Sequence, residues 1–435
     1  MKATKSLLAL LILLAPGFLV AAESINVWMI SSPVPELIKA FDDAAVDFES
    51  ASGIKVNYVR VPPGDFHTKL VTNISAKQYP DLVIWNIHPG VEFQATGAVL
   101  PMNDTIGAFG KSRFADAVLK SCEVGGKYWE IPYLSRPAGL HVRKDWMKEA
   151  GYDTKLYKDA KGRYYLKGLS TWEDYLALAK KMTDKSRDRY GMGFQMSRKG
   201  FGDSAGFALA VLFSYGGSLL DPNGKIAINS PEAVDAFAFI KKVWDSGVMP
   251  ASTTTWDGNG NNNYFIGGEI GMVYNSNSIL TKLSAKTAAK PEDVMIVPFP
   301  TGPKGLSYMY SNPETITIFK TPHSEAAKKY ALYLLDTKTQ VAMFKTMKFG
   351  YYSPLRADVM ADPLFDSLTD NDKVFMQDSS KIVDPSYPAE PNGKLSALIN
   401  AFVMDDALSR IAVDGWSPQQ VVKEIEQKEN DALND

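Results

Sequence analysis

Cysteine, histidine and long apolar runs are scarce in this 435-residue chain, and each shortage removes a class of explanation. Cys122 is the single cysteine, so neither an internal disulfide nor a multi-cysteine metal site can form. The four histidines, His67, His88, His141 and His323, show no H-E-x-x-H or other ligand-like spacing. No G-x-G-x-x-G and no phosphate-binding loop occurs. Beyond residue 22 nothing approaches the ~20 apolar residues that a membrane-spanning helix needs. Charge of one sign is also lacking. Setting aside Lys2 and Lys5 of the leader leaves 45 of the 47 basic residues against 49 acidic ones. That balance gives no support for nucleic acid or an anionic membrane as partner.

What is present begins with a leader. Lys2 and Lys5 precede an apolar run from Leu7 to Val20, and Val20-Ala21-Ala22 ends it with small residues. This is the pattern of a secretory signal peptide, with cleavage expected after about Ala22. The run is 14 residues long, short of a membrane anchor. The mature chain is expected to be soluble and exported to the periplasm. With 45% hydrophobic and 22% charged residues it has a globular composition, and its length calls for two domains.

The first third reads strand, helix, strand, helix, strand: INVWMIS, PELIKAFDDAAVDFESASG, IKVNYVRV, DFHTKLVTNISAKQ and DLVIW. That alternation predicts an α/β layer with a mainly parallel sheet, whose ligand edge lies at the carboxyl ends of the strands. After about residue 135, amphipathic helices dominate, with starts at Ser170 or Thr171 and at Ser230-Pro231. DPNG predicts a turn joining two short strands. ETITIF predicts a strand, SEAAKKYALYLLDT a helix capped at Ser324, and SPQQVVKEIEQKENDAL a final solvent-facing helix.

Two motifs point toward chemistry and are weak. Gly202-Asp203-Ser204-Ala205-Gly206 fits the nucleophile elbow of α/β-hydrolases, but basic, glycine-broken SRKGF precedes it where a strand is needed. An exported serine hydrolase using Ser204 therefore stands as a distant alternative. Asp257, Asn259 and Asn261 match the first three ligands of a calcium loop, but Asn262 and Gly268 stand where such a loop needs glycine and glutamate. A polar, glycine-jointed loop explains them.

The stretch TTTWDGNGNNNYF, from Thr253, points elsewhere. One large ring beside an aspartate and four asparagines suits a polyhydroxylated ligand, whose C–H face needs cover and whose hydroxyls both donate and accept. The order of INVW, GIKVNYVRV, PDLVIWN, GAVLPMND, GGKYWEIPY, STWEDYLALAKKMTD, FIGGEIGMVYNSN and FGYYSPLRADV completes the pattern. Together these segments resemble the carbohydrate-type extracellular solute-binding proteins of bacterial ABC importers, the group that includes maltose- and glycerol-phosphate-binding receptors. The resemblance spans essentially the whole mature chain.

The resemblance implies an α/β, two-lobed periplasmic-binding-protein fold with a hinge and an interlobe ligand cleft. It implies lobe 1 over 23–134 plus 315–358 and lobe 2 over 139–309 plus 359–435, with crossings near 135–138, 310–314 and 355–359. It further implies a monomer that takes a carbohydrate ligand, delivers it to ABC permease subunits, and needs no cofactor, metal or catalytic residue. Ser31, Ser32, Trp85, His88, Tyr274, Asn275, Tyr310, Asn312 and Tyr351 fall where relatives place cleft residues. Arg136 falls six positions before VRKD, where maltose-type relatives carry a carboxylate. A guanidinium there leaves an anionic sugar derivative or a glycerophosphodiester as the alternative ligand. Trp256 is read as a stacking platform with Asp257 as its hydrogen-bonding neighbour. On that reading Trp256→Ala is expected to weaken ligand binding by about 1 kcal/mol or more.

Overall fold

A computed structural model describes residues 23–434 apart from 33, 137, 199–202, 311–312, 348–351 and 379–380, so the leader lies outside the described residues. Strand Ser24–Ile30 pairs in parallel with Lys55–Val61 on one side and Leu82–Trp85 on the other. The helix between the first two, Pro35–Ser52, turns Leu37, Phe41, Ala45 and Phe48 inward at the predicted spacing. Gly53 ends it at φ 73, the left-handed conformation that glycine adopts without steric penalty. Helix Pro63–Ser75 buries Phe66, Leu70 and Ile74 against the sheet.

The sheet then departs from the mainly parallel expectation. Glu314–Ile318 returns antiparallel between Leu82–Trp85 and Ile131–Ser135, and Ser353–Pro354 forms the far edge, also antiparallel. Half of this six-stranded sheet thus comes from segments distant in sequence, which local alternation cannot reveal. A second, three-stranded antiparallel sheet orders Met272–Asn275, Gly139–Arg143 and Val294–Val297. Around it pack the helices Trp172–Met182, Asp203–Tyr215 and Pro231–Asp245. Thr171 and Asp174 cap the first reciprocally, and Ser230 caps the third by accepting from the Ala233 N–H. Asp203–Tyr215 is apolar all round and buried along nearly its whole length, as a central helix must be.

Each sheet has its own core, so the chain forms two lobes. Ile131–Ser135 ends in the first sheet and Gly139–Arg143 begins the second, so the chain crosses at residues 136–138. It crosses back between Tyr310 and Glu314. The last crossing comes later than the expected 355–359. Val359, Phe365 and Leu368 still pack in the first core, whereas Val374 and Phe375 pack on Ile296 of the second. Arg356 explains the delay. Its buried guanidinium donates to the Leu335 carbonyl, to Thr337 Oγ1 at 3.2 Å and to Asp358 Oδ1 at 3.0 Å, which fastens the segment to lobe 1.

Three smaller expectations change. DPNG closes a turn with one bridge, Leu220 to Ile226, rather than two strands. Ser324 is the first residue of its helix, and His323 precedes it without a side-chain cap. The final helix, Pro418–Asn434, is not simply solvent-facing, because Val421, Val422, Ile425 and Glu429 are buried. No described helix is long and apolar enough to cross a membrane.

Glu429 is the unusual member of that face. Burial, with Glu426 nearby, pushes its carboxyl up to about 9, and neither oxygen accepts a hydrogen bond among the described residues. A raised carboxyl favours the fold most below its unfolded value near 4.5, and that contribution is lost as pH rises through about 9. Glu429→Gln should therefore raise unfolding free energy at pH 7 by on the order of 2 kcal/mol. The gap between variant and parent should close near pH 4, as measured by urea unfolding at the two pH values.

Candidate ligand-binding cleft

The lobes face each other across a cleft of about 430 Å³. Strand ends supply much of its wall, as sheet geometry requires. From lobe 1 come Ser31, just past Ser24–Ile30, then His67 of the Pro63–Ser75 helix, and Trp85 with Asn86 at the end of the third strand. From lobe 2 come Asp203, Asp257, Lys282, Asn400 and Phe402, with Tyr274 and Asn275 at the end of their strand. Arg136 lines the cleft at the crossing itself. Gly206 also lines it. A Cβ there would lie 2.9 Å from Tyr274 Cε1, so only glycine lets the helix sit against that ring.

The lobe 2 wall is an amide and carboxylate network. Asn261 Nδ2 donates to Asp203 Oδ2 at 3.0 Å and to the Tyr274 carbonyl at 3.3 Å. Asn275 Nδ2 donates to Asn262 Oδ1 at 3.1 Å and to Asp203 Oδ2 at 3.4 Å. Burial pushes the Asp203 carboxyl up to about 6, against the pull of Asn261, the Arg136 charge and Gln195. Arg136 Nε lies 3.8 Å from Glu314 Oε1 on lobe 1, so one guanidinium stands between a carboxylate from each lobe. The Glu314 carboxyl is likewise raised by burial and lowered by Arg136.

Several expected residues sit elsewhere. Ser32 is absent from the cleft wall, and its Oγ accepts from the Val34 N–H at 3.1 Å. Trp85 borders the cleft but is 1% exposed, its ring stacked on Phe66 at 4.9 Å, so it is a wall of the core rather than a platform. His88 is wholly buried outside the cleft, in contact with Glu130. Trp256 is 4% exposed and also outside it. It stacks on Tyr264 at 4.4 Å, donates to Ser252 Oγ at 3.2 Å, and packs with Phe265 and Ile270. Asn261 is drawn inward by Asp203 and the Tyr274 carbonyl, Asn259 and Asn262 stay at the cleft, and the Trp256 ring turns into the apolar cluster beside the helix Gly260–Ile266. Asp257 remains at the cleft, where its Oδ1 accepts from the Asn259 N–H at 2.9 Å. The Tyr310 side chain, Asn312 and Tyr351 lie outside the described residues. Ser204 is buried, donating to the Gln195 carbonyl at 3.1 Å, which leaves the hydrolase alternative without an exposed nucleophile.

Two residues of the cleft carried little sequence signal. Asp203 was hidden inside the apparent nucleophile elbow. Phe402 follows a helix without a turn motif, yet it is a half-buried aromatic at the cleft with φ 67. A non-glycine residue in that region is sparsely populated and points to a functional constraint.

The sequence model of the family described as bacterial extracellular solute-binding protein matches residues 31–341, and the chain belongs to that family. A binding protein of Brucella abortus is 23% identical over 305 residues, 70% of each chain. The structure of maltose-bound MalE3 from T. maritima superposes with a TM-score of 0.78 at 21% identity, covering 94% of this chain and 99% of that one. An ABC transporter solute-binding protein of Thermotoga lettingae, bound with α-D-tagatose, superposes at 0.77 with 19% identity, covering 94% and 100%. These structures share the two-lobed fold.

The new position of Trp256 reverses the expected effect of its removal. Trp256→Ala should cost about 3 kcal/mol or more of stability by emptying a packed site. Ligand affinity of the protein that remains folded should be unchanged, a pair of results separable by calorimetric unfolding and titration.

Proposed function

We propose that this solute-binding protein captures a neutral carbohydrate in the cleft and delivers it, with the lobes closed around it, to the membrane permeases of an ABC importer. The balanced charge of the cleft carries this reading. Arg136 is countered by Glu314 at 3.8 Å and by the charge of Asp203, and Lys282 and Asp257 both line the cleft. A carboxylate or phosphate ligand would find its guanidinium already engaged from both sides, whereas hydroxyls find carboxylate acceptors, amides and Ser31. Phe402, half-buried at the cleft, supplies the aromatic ring that a sugar's C–H face requires. The maltose and α-D-tagatose in the two structural neighbours accord with this ligand class.

Closure is the work the protein performs. Ser31 and His67 belong to one lobe, Asp203, Asn275 and Phe402 to the other, so a ligand that touches both lobes stabilises the closed form. The crossings at residues 136–138, 310–314 and near 369 are the hinge, and the permeases read the closed state. Binding proceeds without turnover in an exported, monomeric receptor.

A thermal-shift screen of the ligand-stripped mature protein against neutral sugars, glycosides, sugar acids and sugar phosphates tests the ligand class. A true ligand at about a hundred times its dissociation constant adds roughly 2.7 kcal/mol, a shift of several degrees. Stabilisation by neutral sugars is expected, and a response confined to anionic compounds would overturn the charge argument. Phe402→Ala should weaken the neutral-sugar response by about 1 kcal/mol or more.

The pH dependence follows from Asp203. Its raised carboxyl favours the ligand-free fold fully below about 3.8, and this is lost as pH rises through about 6. Sugar binding, which uses the ionised form as acceptor, should run the other way and weaken as pH falls through about 6. Asp203→Asn should flatten that profile in isothermal titrations between pH 5 and about 7.5.

A further inference from the structure

We propose that His88, Cys122 and Glu130 form a binding site for a divalent transition-metal ion of the zinc type, backed by Asp384 at the junction of the lobes and outside the ligand cleft. Ligand atoms of His88, Cys122 and Glu130 lie within 4.8 Å of one another, and all three residues are wholly buried. Asp384 Oδ2 lies 3.8 Å from His88 Nε2, on the opposite edge of the ring from the Glu130 contact at Nδ1, so it backs the imidazole rather than joining the donor set. Sequence spacing conceals the set, because its members are brought together only by the fold.

The support around the donors is what a metal site needs. Glu130 Oε2 accepts from the Gly90 N–H at 3.1 Å, from Thr315 Oγ1 at 3.0 Å and from Thr317 Oγ1 at 3.3 Å. Its other oxygen, Oε1, meets His88 Nδ1. Asp384 repeats the division. Oδ1 accepts from the Ser386 N–H at 2.7 Å, while Oδ2 is buried and accepts no hydrogen bond among the described residues. Glu130 therefore has one oxygen held in place and the other turned to the cluster, while Asp384 is held against the far edge of the His88 ring. His88 itself is held at φ 51, a conformation that non-glycine residues rarely adopt.

The donor set selects the ion. One sulfur, one imidazole nitrogen and one carboxylate oxygen, with water in the fourth position, suit tetrahedral zinc, and the thiolate disfavours magnesium and calcium. Binding exchanges protons for metal: the Cys122 thiol releases its proton to solvent, and an imidazolium at His88 releases one as well. No electron moves. The dication then offsets the Glu130 carboxylate and the thiolate that its binding creates. The Asp384 side chain, 11% exposed, gives the route from solvent.

The site has a structural consequence. His88, Cys122 and Glu130 belong to lobe 1. Asp384 follows Ile382–Val383, which pairs with Met309–Tyr310 on the core of lobe 2. A bound ion would fix the orientation of the His88 ring, against which Asp384 of the C-terminal segment of lobe 2 packs beside the hinge. This assignment does not depend on the carbohydrate reading, and sugar affinity plays no part in its test.

The test is a titration of the chelator-stripped mature protein with Co²⁺ and then Zn²⁺, followed by absorbance and thermal unfolding. One equivalent of Co²⁺ should produce thiolate-to-metal charge-transfer absorption, displaced by Zn²⁺, with a raised unfolding midpoint. Cys122→Ser, a near-isosteric change, should abolish the absorption and weaken Zn²⁺ binding about 100-fold or more. Asp384→Asn, at the solvent edge, should keep the absorption and weaken affinity. The proposal is overturned if folded wild-type protein gives no thiolate absorption. It is equally overturned if Cys122→Ser binds Zn²⁺ as tightly as the parent, which would leave His88 as an imidazolium between two carboxylates.

Discussion

The Arg136 guanidinium, held at the first crossing between a carboxylate of each lobe, is the interaction on which the cleft depends. Two separate hydrophobic cores leave polar chain between them, and charge placed there is desolvated from both sides. Glu314 and Asp203 answer the positive charge from opposite lobes, and both carboxyls are raised by burial. One guanidinium against two carboxylates leaves the junction without net positive charge. Balanced charge and abundant amides favour hydroxyls, where a lone guanidinium would favour a carboxylate or phosphate.

The same junction also carries the mechanical load. Asp203, Asn261, Asn262 and Asn275 bond to one another on the lobe 2 side, so this wall is organised before a ligand arrives. Ser31, His67 and Asn86 face it from lobe 1. A ligand completes contacts that neither lobe satisfies by itself, and closure follows from that difference in binding free energy between open and closed states. The buried group around His88 and Glu130 lies on the other side of the third strand's end, where a C-terminal segment of lobe 2 meets lobe 1.

Local physics made much of the fold legible. Period and capping residues fixed the helices beginning at Pro35, Trp172 and Pro231, because a helix buries one face and must satisfy its own first N–H groups. Segment order identified the family. The late crossing was not legible, since it depends on Arg356 reaching the Leu335 carbonyl, a contact with no local pattern. The antiparallel half of the first sheet was hidden for the same reason: its strands are brought together from distant parts of the chain.

The sequence by itself determined the element pattern, the two-lobed class and the general region of the cleft, because these follow from local periodicity and from motif order. Tertiary structure alone decided which side chains line the cleft. Trp256 looked exposed among asparagines, but its ring had an apolar cluster to join, and burial of so large a surface outweighs local polarity. Phe402 carries no local pattern that marks it, yet it sits at the cleft on a left-handed backbone. Asp203 and His88 gained their environments from partners far along the chain, and the field around an ionisable group is set by what folding packs against it.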